Sequence, residues 1–528
     1  MNRNFLFFIL FFVVIYTLTS QGCSYGSELT EIKSKQNSLG CLKEEDLSNL
    51  VFFSEYDLDY DRKLYYNPKA REVIKRMDTG ENLVRQSNVS VAFYEFRHLL
   101  KDMQPNDFYY MIMAYKLSSI GFFSLSQDAI MKVQDKEIWG QHIDFIRKYC
   151  FPKNQLKVTE EVFFAGLLSD IIYNNLTDES LVALEKNGNF LTNYDYAKYI
   201  RAQAYFAEKN YKEALVQINK AITDNPDNIF YKKLKAEILN ASGQEKETLA
   251  LIRQIQHTDI IFTDIQKETD KIKYHSLSKI EKDETKQKYY LAYYFYLNKD
   301  YQRAISELKL LMMKGDTNEA SELLGTLYKV TNMPQEAKKL YSKQVAKNKK
   351  LSYPHKGLGD IYLAEKNYAE ALSEYKQAYR YNKKDIETLA ALAVVSSKLK
   401  DEKAAEKYAD KLIKTFPLNY KALYIAARLK QDKGNIYLKS SISQNPLYSA
   451  GWLDLAQQAL STKDLTSAEE YINAAAYITQ KDARYFYYKS ILNTEKKEYK
   501  SALKDINRAE TIVKEKAVNI KEEKNEQI

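Results

Sequence analysis

Alanine recurs along this chain with a period that few folds can accommodate. Ala337, Ala371 and Ala405 stand 34 residues apart, Ala304 lies 33 before the first of them, and Ala468 and Ala502 are again 34 apart, while Ala214 heads an earlier copy. Twelve residues before these alanines come Ala202, Ala292, Gly325, Gly359, Ala393, Ala456 and Ser490, all small. Small residues paired in this way let two helix backbones approach. In "GLGDIYLAEKNYAEALSEYKQAYRYN" (Gly357–Asn382), Gly359 and Ala371 are the points of approach, Tyr362 and Tyr375 fill the space between the helices, and Ala378 admits the first helix of the next copy. Each helix pair leaves an apolar face that only a neighbouring pair can bury, so the copies must stack. "AEKNY" and "LNKDY" mark short turns at which Asn or Asp starts the second helix. Only 15 glycines and 8 prolines occur in 528 residues, which argues against a turn-rich all-β fold.

Period and content resemble the tetratricopeptide repeat (TPR), a helix–turn–helix unit. In "YAKYIRAQAYFAEKNYKEALVQINKAITDNP", the signature positions hold Ala202, Tyr205, Ala214, Ile218, Ala221 and Pro226. A second copy offers Trp452, Leu455, Ala456, Ala468, Ile472 and Ala475, and the copy quoted first offers Leu358, Gly359, Tyr362, Ala371, Tyr375 and Ala378. The resemblance covers residues 194–260 and 285–511 and implies an all-α TPR superhelical solenoid with an N-terminal helical extension. The chain then divides into a signal peptide (1–22), a tether (23–40), a helical region of possibly degenerate repeats (41–190), a first repeat block (194–262), a charged segment (263–284), a second block (285–512) and a charged tail (513–528).

Some copies depart from the pattern. The one after Pro226 keeps Ala236 but has Thr248 in place of alanine. Pro417 and Pro446 are only 29 apart, which predicts a second helix about one turn short around Gly434. The stretch from Asp264 to Lys288 is highly charged and reads as a boundary or an extended helix; the tail reads as a helix end or a disordered segment. Upstream, "NVSVAFYEFRHLLKDM" and "NDFYYMIMAYKLSSIGFF" carry helical periodicity, the second faintly repeat-like.

The N-terminus is a secretory pattern: Arg3, then the apolar run Phe5–Leu18, then "TSQGC" ending at Cys23. A permanent span usually takes ~20 apolar residues, more than this run supplies. The segment resembles a bacterial lipoprotein signal, which implies acylation of Cys23. Gly22 fits the box, but Ser20 stands where an aliphatic residue is usual. Plain cleavage or an uncleaved anchor are the alternatives, and all three export the chain. Of the remaining cysteines, Cys41 and Cys150 either pair in an oxidising compartment or leave Cys150 as a small core residue.

Little in the sequence points to catalysis. Asp57, Asp59 and Asp61 open like a calcium loop, but Arg62 and Pro68 stand where Gly and Glu are needed, so no metal site is expected. His98, His142, His257, His275 and His355 are not at metal-ligand spacing, and no phosphate-binding glycine loop or nucleophile elbow occurs. The expectation is a non-enzyme without cofactors. The net charge of +9 is dispersed among 79 basic and 70 acidic residues, which suits a solvated helical surface and not a nucleic-acid groove.

In TPR proteins the first helix of each repeat lines a concave face through positions 2, 5, 9, 12 and 13. That resemblance implies a partner-binding groove of Tyr196, Tyr199, Phe206, Tyr289, Tyr293, Tyr296, Tyr353 and Tyr487. Tyr289, Tyr293 and Tyr296 share one helix face, and tyrosine combines a rigid apolar ring with a polar tip. Part of the tyrosine content (44 residues) reads equally as AT-rich coding bias, with some rings in the core. Lys356 is accompanied by Asp360 where a receptor for C-terminal carboxylates would need Asn, which argues against that subtype. The expected function is a protein-interaction scaffold, membrane-anchored in the periplasm. The relaxed lipid box and long array are similar to spirochaete TPR proteins of the periplasmic flagellar collar, which implies other TPR proteins of the motor as partners. An accessory lipoprotein of outer-membrane protein assembly and an adaptor for an envelope enzyme are the rival readings.

Overall fold

The computed structural model describes residues 28–43, 68–103, 106–186, 193–255, 263–315, 317–430, 434–478 and 482–525, and among them the regular structure is helical throughout. The signal segment, Cys23 and the Asp57–Asp61 stretch lie outside the described residues, as does the Cys41 side chain. Helix α1 covers residues 28–38 and is followed by a 3₁₀ turn, Gly40–Lys43. Then come α2 (Pro68–Arg85), α3 (Val89–Asp102), α4 (Asp107–Ile120), α5 (Phe123–Lys132), α6 (Lys136–Tyr149), α7 (Val158–Tyr173) and α8 (Thr177–Lys186). The first block is α9 (Asp195–Ala207), α10 (Tyr211–Asp224), α11 (Ile229–Ala241) and α12 (Glu245–Ile255), followed by α13 (Thr263–Ile280). The second runs through α14 (Glu284–Leu297), α15 (Tyr301–Lys314), α16 (Asn318–Val330), α17 (Pro334–Lys347), α18 (Ser352–Ala364), α19 (Tyr368–Tyr381), α20 (Ile386–Lys398) and α21 (Glu402–Thr415). It ends with α22 (Tyr420–Leu429), α23 (Gly434–Gln444), α24 (Ser449–Ser461), α25 (Leu465–Ile478), α26 (Ala483–Glu495) and α27 (Tyr499–Asn525). The helices fall into two compact units: α1 with α24–α27, and α3–α23 with α2 from Lys75.

One turn geometry generates the hairpins. Lys209, Lys299, Asn332, Lys366, Lys400, Lys463 and Lys497 all take a left-handed backbone, φ 55° to 62°. At each, the next residue's N–H reaches back to the carbonyl five before it, as from Asn367 to Tyr362 at 2.8 Å, and the left-handed residue's own N–H bonds three back, as from Lys366 to Leu363. These are Schellman closures that satisfy the last carbonyls of the first helix. Asn210, Asp300, Asp401 and Asp464 then cap the second helix, each side chain accepting a backbone N–H. Asn367 occupies the same place, but its side chain bonds Glu365 instead. Small residues seven before and five after the left-handed position meet at the crossing. At Gly359 a Cβ would lie 2.8 Å from the Tyr375 ring, so only glycine admits that tyrosine.

The same frame reaches much further upstream than the sequence motifs do. Ser87 is left-handed, with Gly80 seven before it and Ala92 five after; Gly121 is left-handed, with Ala114 and Ser126 at those offsets. Ala92, Ala114 and Ser126 are fully buried. A Cβ on Gly80 would strike the Phe96 ring at 2.5 Å, as one on Gly359 would strike Tyr375. Thus α2–α3 and α4–α5 are repeat hairpins. Helix α6 is then inserted, its N-terminus prepared by buried Asp107, which accepts from the backbone N–H groups of Gln134 and Asp135. The start of α5 is held from outside: buried Glu161 on α7 accepts from Ser124 N (2.9 Å) and Ser124 Oγ (2.7 Å).

Two expectations change, and one open reading is decided. The tether predicted for residues 23–40 contains a docked helix, α1, whose Ile32 is fully buried. Of the two readings of the charged segment, boundary or extended helix, the helix is found: α13 has 18 residues and packs on both α12 and α14, with Tyr274 stacked on Tyr293, so it is no break. The short repeat after Pro417 loses length from both helices, ten residues in α22 and eleven in α23, where the neighbouring pair has thirteen and fourteen. Gly434 is required there, since a Cβ would sit 2.8 Å from the Ala427 carbonyl oxygen. Helix α6 docks on this short α23: His142 Nε2 lies 2.6 Å from the Ser443 carbonyl, and Lys439 pairs with Glu137 at 2.7 Å. Thr248, in place of alanine, is buried with its hydroxyl donating to the Gln244 carbonyl. The tail takes the helical of its two readings, α27 continuing to Asn525.

Candidate partner-binding face

Within the larger unit, first helices of successive repeats lie side by side, as α14, α16 and α18 do, so their outward positions form a strip. In the first block that strip is already occupied. Tyr196 is 4% exposed and packs edge-on against Phe123 (5.0 Å) and Phe164 (5.7 Å). Tyr199 stacks on buried Tyr231 (5.1 Å) and accepts a hydrogen bond from Gln203; burial pushes its hydroxyl up to about 12. The cause is α7 and α8, which pack on α9, while Tyr115 of α4 approaches Phe230 of α11. Tyr196 is therefore core and not a partner anchor, and Tyr199 is built into the same cluster. Phe206, half-buried, leans on Tyr211 at 6.1 Å. In the other unit Tyr487 is 2% exposed, against Tyr488, so it too is core and not groove.

From α13 to α20 the strip is more open. Tyr289, Tyr293 and Tyr296 are half-buried on one face of α14, as the spacing predicts. They belong to a ladder: Tyr274 stacks on Tyr293 (4.0 Å, 23°), Tyr296 meets Tyr293 edge-on (5.6 Å), and Tyr301 follows at 6.2 Å. Burial, then the charges of Tyr274, Glu322 and Glu319, hold the Tyr289 hydroxyl protonated well beyond the ordinary tyrosine range. Tyr274 escapes sequence reading because its helix matches no repeat.

Beyond the tyrosines the strip is ionic. Lys329 on α16 bonds Asp360 on α18 at 2.6 Å, and Asp360 accepts from the Tyr375 hydroxyl at 2.8 Å. Lys356 on α18 bonds Glu387 on α20 at 2.5 Å and lies 3.9 Å from Glu322. Asp360 is 3% exposed, and the lysine side chains 22% and 17%. Burial works to lower both ammonium groups, but the facing carboxylates, Asp360 for Lys329 and Glu387 for Lys356, outweigh it and raise them. Glu322 shifts upward, burial outweighing the attraction of Lys356. Lys356 is thus committed to Glu387, which strengthens the argument against a carboxylate receptor. Half-buried Tyr353 borders this region on α18. The sequence shows these charges, but their pairing depends on helix adjacency.

The remaining candidates stand apart from the strip. Cys150 is buried at the end of α6. Among the described residues no group of three or more His, Cys, Asp or Glu is placed to hold a metal ion, and no helix is long and apolar enough to cross a membrane. The face offers aromatic stacking and hydrogen bonding at one end and paired charges at the other.

No family model matches the chain, and no curated protein matches it. Solved structures do. The hetero-tetramer Cut9–Hcn1 of the APC/C aligns over 82% of this chain and 92% of its own, at 13% identity and a TM-score of 0.36. A tetratricopeptide repeat protein from Parabacteroides merdae aligns over 43% and 93%, at 19% identity and 0.35. PilW, a type IV pilus biogenesis factor, aligns over 36% and 92%, at 18% identity and 0.33.

Proposed function

We propose that the protein is a non-enzymatic scaffold that holds a protein partner on the face running from α13 to α20. The observation that carries this reading is the half-buried tyrosine ladder of Tyr274, Tyr293 and Tyr296, which continues into a strip of fixed, paired charges. Rings already stacked on one another lose little freedom on binding, and the ion pairs beside them are set in place before a partner arrives. A helical or extended segment with apolar side chains at one end and both charge signs at the other fits such a strip.

The lipoprotein-type signal supports export and acylation at Cys23, which places the scaffold on a membrane facing the periplasm. Its relaxed lipid box and many repeats support a component or assembly factor of a periplasmic flagellar collar. The test is a crosslinked pull-down from intact cells through a C-terminal tag, comparing the parent with a Tyr289→Ala, Tyr293→Ala, Tyr296→Ala variant of unchanged melting behaviour. Loss of the parent's captured proteins is the expected result, and recovery of the same set would refute the binding face. Motor and other TPR proteins in the parent's capture support the collar reading, whereas the β-barrel insertion machinery there would overturn it.

A further inference from the structure

Inside each unit a first helix can rest on both helices of the pair before it, as α18 does on α16 and α17, and α26 on α24 and α25. A terminal pair needs something in that place, because its apolar edge would otherwise face water. On α26 and α27 that place is taken by α1, which bridges the two helices. Gln36 Nε2 donates to Ser490 Oγ (3.1 Å) and Thr494 Oγ1 (3.2 Å) on α26. Lys35 Nζ donates to Asn507 Oδ1 (2.5 Å) and lies 4.0 Å from Glu510, both on α27. Ile32 and Leu39 are buried, while Glu31, Lys33, Ser34, Asn37 and Ser38 are exposed. One apolar line inward and a polar face outward make a capping helix, contributed by the opposite end of the chain.

We propose that α1 is a membrane link: the anchor at Cys23 holds the C-terminal pair α26–α27 near the lipid surface. The proposal rests on the acylation of Cys23 put forward above. Four residues separate Cys23 from Glu28, so even fully extended the anchor lies within about 18 Å of the start of α1. Docking of α1 brings the C-terminal pair to the anchor, although 454 residues separate Gln36 from Ser490 in the sequence.

The experiment uses the full chain in isolated membranes containing an acceptor-labelled lipid. A donor dye is attached at Lys514, an exposed position one turn beyond Glu510, through a bio-orthogonal amino acid. Fatty-acid uptake is followed separately by metabolic labelling. The proposal expects efficient energy transfer in the parent and in Ile32→Leu, and a severalfold loss in Ile32→Asp/Leu39→Asp, with fatty-acid uptake equal in all three. Equal transfer in parent and double variant, or no transfer in an acylated parent, would overturn it. Absence of fatty-acid uptake in the parent would overturn the acylation reading and the proposal with it, and is distinguishable because it registers in the labelling channel.

Discussion

Replacing Gly80 by alanine tests whether residues 68–132 are true repeats. The added Cβ would lie 2.5, 2.7 and 2.8 Å from three atoms of the Phe96 ring, well inside van der Waals contact. That ring has nowhere to go. It is 1% exposed and packs edge-on against Phe122, itself fully buried, at 6.2 Å. Overpacking of this kind costs about 1–3 kcal/mol. Phe96→Leu shortens the obstructing side chain, so the double variant should recover part of the loss, with a coupling of roughly 1 kcal/mol or more between the two sites. Because the chain contains two compact units, a single melting temperature would blur the effect. Native-state hydrogen exchange reads it locally, at amides of α3 such as Ala92 and Leu99. The equivalent Gly359→Ala, with its Cβ 2.8 Å from Tyr375, should act the same way on α19. Undiminished protection of α3 in Gly80→Ala, or a loss that Phe96→Leu does nothing to relieve, would refute the shared register.

Two further outcomes follow from buried charge. Burial, partly offset by the Ser124 hydrogen bonds, raises the Glu161 carboxyl to about 7 from 4.5, so the stability it contributes is complete below 4.5 and is lost as pH rises through 7, on the order of 3 kcal/mol. Burial lowers His142 to about 4 from 6.5, so its contribution is complete above 6.5 and is lost as pH falls toward 4; exchange measured against pH should show α5 weakening on the alkaline side and α6 on the acid side, and Glu161→Gln should flatten only the first. Asp360→Asn strands the Lys329 ammonium and should destabilise α16–α19 by roughly 2–3 kcal/mol, discounted for the partial exposure of the lysine. Adding Lys329→Met should restore much of it, as urea denaturation would show.

Where the repeats announced themselves, they did so through small residues, because a crossing of two backbones tolerates nothing else. Gly359 with Ala371 and Ala456 with Ala468 needed no structure to be placed on facing helices. The N-terminal hairpins obey the same steric rule with Gly80, Ala92 and Phe96, yet the tyrosine and alanine signature around them is absent and the insertion of α6 breaks the 34-residue step. A register keyed to the left-handed turn residue would have found them, since Ser87 and Gly121 are themselves 34 apart. The proposed binding face was legible only on one helix. Tyr289, Tyr293 and Tyr296 share a face by helical periodicity, a local property, but Tyr487, at the repeat position of Tyr289, and Tyr196, one turn earlier, are core, because burial is decided by what covers the strip. The ion pairs were hidden for a related reason, and their spacing explains it. Lys329 meets Asp360 and Lys356 meets Glu387, each 31 residues on. A full repeat of 34 carries the chain to the adjacent parallel helix, and three residues fewer is one turn back along it. Neither member of such a pair is remarkable in sequence, since the attraction exists only once the helices stand side by side. Docking of α1 on α26 and α27 lies at the far limit of this series: Gln36 and Ser490 are 454 residues apart, and no periodicity connects them. Every repeat pair needs something on its open apolar side, so the need for a neighbour could be inferred from the sequence, though not which segment meets it on α26 and α27.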